Sequence, residues 1–184
     1  MCGVRIYLPS TLPTLAARWP GAAGDPKASP TTPLVDAGAV AYAVTPALRE
    51  WYREGDLEEL EYVALNHAAR ASLLLLASES GAGPARRVVL AADVPDAAAA
   101  ASASGTDFAR GHDVAAVRLR EPVSVSMLAA VHVDDPAICD EVAAAAAVVL
   151  AAQEGDDDAR FTLDSLEDHE LQWYAVQEVP FLFS

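Results

Sequence analysis

The segment Asp56-Leu57-Glu58-Glu59 fixes the start of a helix more firmly than any other stretch of this chain fixes an element. An Asp at the N-cap accepts a hydrogen bond from the backbone N–H three positions on, and a Glu at that third position reaches back to the N-cap N–H. Behind this capping box, Leu57, Leu60, Ala64, Ala68, Ala71 and Leu75 recur at helical spacing. The pattern predicts a helix ending near Ala77, stopped by the break from Ser78 to Pro84. Much of its apolar stripe is alanine, so the surface it covers must approach its backbone closely. The 184 residues are enough to bury roughly 70% of the surface the unfolded chain exposes, without disulfides or metal.

That surface is a sheet. Val4 to Leu8 alternates apolar and polar side chains before Pro9, and Ala39 to Val44 reads as a second strand. Arg87 to Ala91 is nearly continuously apolar, the mark of a central strand. Val114 to Arg120, Ala129 to Val133 and roughly His169 to Val176 complete a set of six. Further helices are signalled by Ser10 or Thr11 as a cap for a helix through Arg18, by Thr45-Pro46 for a helix to Glu54, and by Asp135-Pro136 for a helix to about Gln153. The last has Ile138, Val142, Ala145 and Val149 on its core face. Pro122 to Met127 reads as a turn or one helical turn, and the acidic run Glu154 to Asp158 as a solvated loop. The apolar tail Pro180 to Phe183 is expected to fold back on the body.

Strands here neither alternate strictly with helices nor form one block. The expectation is an α+β domain over residues 1–184, with a mixed, largely antiparallel sheet of about six strands and helices mainly on one face. A ferredoxin-like core with insertions is one instance. Two stretches, near 19–38 and 96–112, are rich in Pro, Gly, Ala, Ser and Thr and read as flexible loops.

Charge restricts the function classes. A formal net charge of −15 repels phosphate backbones and anionic lipid, so the expected partners exclude nucleic acid and membrane. The apolar run Val142 to Ala152 is too short to span a bilayer, no secretory leader is visible, and two distant cysteines form no zinc framework. A cytoplasmic setting is expected. There is no GxGxxG, P-loop, GxSxG, HExxH or EF-hand pattern. Cys2-Gly3 resembles the start of class II glutamine amidotransferases, but the likeness stops at those two residues.

Three clusters carry candidate chemistry. Glu167-Asp168-His169-Glu170 with Trp173-Tyr174 places carboxylates beside an imidazole, which suits general base work, with His169, Glu170 and Tyr174 as the catalytic candidates. His132 and Asp134 are candidate metal ligands, provided the fifth and sixth strands are neighbours. Trp51, Tyr52, Tyr62 and Trp173 lie among charged residues and are candidate ligand-binding aromatics.

The blocks Arg5-Ile6-Tyr7-Leu8-Pro9, Ala43 to Tyr52, Glu58 to Tyr62, Arg87-Val88-Val89 with Ala92-Asp93-Val94, Ala130 to Asp135, and His169 to Tyr174 together resemble an uncharacterised family of actinobacterial proteins. The resemblance covers most of the chain outside the two loops and implies no activity, cofactor or functional residue. The expectation is a binding or regulatory module for a protein or small-molecule partner, or a homodimer. The alternative is a small hydrolase- or lyase-like enzyme, metal-dependent or not, with a His/carboxylate pocket.

Overall fold

The computed structural model describes residues 3–20, 29, 31–52, 54–79, 83–101 and 114–183. Its centre is a seven-stranded sheet built from β1 (Gly3–Ser10), β3 (Val40–Ala43), β4 (Val88–Pro95), β5 (Ala99–Ala101), β6 (Ala116–Leu119), β8 (Leu128–Val133) and β9 (Gln172–Tyr174). The strand order is β5-β6-β3-β1-β4-β8-β9. Every pairing in it is antiparallel. The α+β class is the observed one.

β1 and β4 form the spine, paired along eight residues from Gly3↔Pro95 to Ser10↔Val88. Alternation gives each strand two faces. Ile6, Leu8, Val88, Leu90, Val94, Val131 and Val133 bury into one core. That face is covered by α1 (Leu12–Arg18) through Leu15, by the two-stranded sheet of β2 (Pro33–Val35) and β7 (Val123–Ser124), and by a 3-10 segment, Val176–Phe183, through Val179. Trp19, the C-cap of α1, meets Phe183 edge-on at 6.2 Å. The tail therefore folds back as expected.

The other face takes α2 (Pro46–Trp51) and α3 (Leu57–Ser78) through Leu48, Leu60, Ala64 and Ala68, against Tyr7, Tyr42, Val89, Ala91 and Ala130. The capping box of Asp56 and Glu59 is present in full. Ala64 and Ala68 are wholly buried, which is the close approach the alanine stripe requires. α3 is clipped to the sheet by one hydroxyl. Ser72 Oγ donates to Ser10 O at 2.7 Å and accepts from Val88 N at 2.9 Å. α4 (Cys139–Glu154) and α5 (Asp157–Glu167) pack beside α3 through Val142, Ala145, Val149, Leu163 and Leu166.

Several expectations are corrected. The loop near 19–38 contains β2, because Leu34 is apolar enough to join the core. The low-complexity stretch opens with a 3-10 turn, Asp96–Ala98, and the edge strand β5. Residues 21–28 and 102–113 lie outside the described residues, as does Cys2. α2 stops at Trp51 rather than Glu54. The acidic run is no loop. Gly155 ends α4 at φ 104°, a left-handed position that suits glycine, and Asp156 caps α5 at once. The sixth strand shrinks to three residues: a turn after α5 holds His169, whose N–H donates to Leu166 O, and the 3-10 segment takes over at Val176. With its leading 3-10 turn, α4 forms a stretch, Pro136–Glu154, that is long and apolar enough to cross a membrane by length and composition. One such helix is a weak signal, and its buried stripe packs against α3 and α5.

Candidate functional site

The sequence candidates divide between places that do not meet. β8 and β9 are indeed neighbours, and His132 stands opposite Trp173 on the helix-covered face. Tyr174 stands opposite Val131 and packs into the other core, its hydroxyl donating to Gln172 Oε1 at 2.8 Å. His169 lies in the turn after α5, not on a strand, and its Nε2 is 2.9 Å from Glu141 Oε2 on α4. Glu170 is exposed. His132, His169, Glu170 and Tyr174 are therefore not gathered into one pocket.

Asp134 is wholly buried and committed to Arg87. Both of its oxygens take the guanidinium at 2.8 to 3.1 Å, and Oδ2 takes the Arg87 backbone N–H at 2.7 Å. Arg87 Nη2 also donates to His169 O at 3.0 Å. The pair joins the start of β4, the end of β8 and the turn after α5. A carboxylate held this way has no lone pair directed at a metal beside His132. Among the described residues, no group of three or more His, Cys, Asp or Glu is placed to hold a metal ion.

Sequence reasoning missed a second polar group, on the helix-covered face of the sheet spine. Arg5 and Asp93 are paired in register and joined by two hydrogen bonds of 2.9 Å. The bond to Asp93 raises the pKa of Arg5. Tyr7 Oη lies 3.4 Å from Glu61 Oε2 on α3, and burial followed by the Glu61 charge pushes the phenol well above its ordinary range. His132 is held below its ordinary pKa of 6.5, first by burial and then by the charge of Arg5. The signal was available: Arg5 and Tyr7 are the polar positions of the alternation in β1 and so share a single face.

The aromatic candidates give a different picture. α2 is a short, rigid mount. Thr45 caps it by accepting from Leu48 N at 3.0 Å, Pro46 opens it, and Leu48 is fully buried. At its end Trp51 is 73% exposed. Tyr52 follows at 43%, and on the first turns of α3 Leu57 and Tyr62 are 52% and 47% exposed. Leu48 and Leu60 share one core cluster, so both helix ends are anchored at the same part of the sheet. Trp173 is 62% exposed on the edge strand β9, at the far side of the sheet from β3.

Fold and site together define an antiparallel-sheet α+β protein that carries three of its exposed aromatics, Trp51, Tyr52 and Tyr62, on a helix corner. The chain belongs to a family of unknown function (DUF6912), whose model matches residues 4–183. No curated protein and no solved structure matches it.

Proposed function

We propose that this protein is a partner-binding module and that the α2–α3 corner is its docking surface for another protein. The observation that carries this reading is Trp51, a large aromatic left 73% exposed at the end of a helix whose other end is capped and anchored. Exposed aromatics on rigid mounts supply contact area at little entropic cost, and they dominate binding energy where they occur in interfaces. Tyr52, Leu57 and Tyr62 extend the apolar area from the same chain segment.

The setting in this proposal is the cytoplasm. A free thiol at Cys139 suits a reducing compartment, and a charge of −15 disfavours nucleic acid and anionic membrane as partners. A photo-crosslinking residue placed at position 51, with a second at the equally exposed Phe161 on α5 as control, tests the reading. A defined protein adduct obtained from position 51 and not from position 161 supports it. The same background of adducts from both positions removes it.

A further inference from the structure

We propose that the occupant of the α2–α3 corner is a basic, arginine-bearing segment of a partner protein. This rests on the docking reading above and adds the chemistry of the partner. Six of the 17 residues at 46–62 are acidic and two, Arg49 and Arg53, are basic, a net charge of −4 against −15 for all 184 residues, so the corner is more negative for its length than the chain as a whole. Not all of these charges are free. Asp56 and Glu59 close the capping box, and Glu61 faces Tyr7. Glu50, Glu54 and Glu58 are exposed and form no ion pair among the described residues.

These three carboxylates come from the same short segment as Trp51, Tyr52 and Tyr62. A guanidinium suits both parts of such a surface. It takes a carboxylate through two parallel N–H bonds, and it stacks on an aromatic face. An apolar partner would leave the three carboxylates facing it without hydrogen bonds. An acidic partner would add like charge to a chain that already carries −15.

Calorimetric titration of the full chain with three unstructured peptides tests the proposal. The first carries arginines among leucines and serines, the second has glutamine at each arginine, and the third has glutamate there. The variants are Trp51→Ala, the corner triple Glu50→Gln/Glu54→Gln/Glu58→Gln, and a control triple Glu154→Gln/Asp158→Asn/Asp164→Asn, which removes equal charge from exposed positions elsewhere. Circular dichroism verifies that each variant folds. The expected result is binding of the arginine peptide, weakened about tenfold by Trp51→Ala and by the corner triple, with the control triple close to wild type.

If the glutamine peptide binds as tightly and Trp51→Ala still weakens it, the surface is a docking site and the basic partner is wrong. If no peptide binds, or if the arginine peptide is indifferent to both corner variants, the basic partner and the docking reading fall together.

Discussion

Arg87 and Asp134 hold each other in a bidentate ion pair at 2.8 Å, with both side chains almost completely removed from solvent. The guanidinium also holds the carbonyl of His169, so the pair ties the central strands to the turn that leads into β9. Removing one partner leaves a buried charge uncompensated, which costs about 3–5 kcal/mol. Asp134→Asn and Arg87→Met are each expected to lower the unfolding free energy by that amount, read from the shift of the urea midpoint. The double change Arg87→Met/Asp134→Leu should recover part of the loss, but not all of it, because the His169 carbonyl still loses its donor.

Ser72 offers a smaller and cleaner case. Its hydroxyl is fully buried and serves both the carbonyl of Ser10 and the N–H of Val88. Ser72→Ala leaves two backbone groups without that partner, for a loss of about 1–3 kcal/mol by chemical denaturation. Helix propensity would favour the alanine, so a stability gain would contradict the assigned role.

His132 makes stability depend on pH. Burial and Arg5 lower its pKa in the folded state, so the unfolded chain takes up the proton first as pH falls. Its contribution is therefore complete above the ordinary value of 6.5 and is lost as pH drops from there toward the folded value. Wild type is expected to be less stable at about pH 5.5 than at about pH 7.5, and His132→Asn to flatten that step. An unchanged slope in the variant would show that other groups cause it.

Trp51→Ala separates binding from folding. An exposed side chain contributes little to the core, so its removal should shift stability by no more than about 0.5 kcal/mol. A larger loss in thermal or urea melts would mean that Trp51 packs in solution and is not free to dock.

Much of this fold was legible in the sequence where a local rule decides the outcome. The capping box of Asp56 and Glu59 and the proline-opened helix at Thr45-Pro46 stand where the pattern put them. The six expected strands are all present, though the last is much shorter than its apolar pattern implied. What failed depended on partners distant in sequence. β2 exists only because β7 pairs with it, about 90 residues later along the chain. α5 was hidden by an acidic run whose Asp156 is a cap, not a loop residue. For the site, the apolar pattern puts His169 on the sixth strand, but that strand begins only at Gln172. Asp134 looked available because nothing in the sequence shows Arg87 lying against it.

The affinity of a partner captured at position 51, measured on wild type, Trp51→Ala and Phe161→Ala, tests the docking claim most directly. Trp51 and Phe161 are almost equally exposed, at 73% and 74%, so exposure alone cannot favour one of them. Trp51→Ala is expected to weaken binding about tenfold or more while Phe161→Ala leaves it unchanged. Equal loss in both variants, or loss only at Phe161, would contradict the α2–α3 corner as the docking surface.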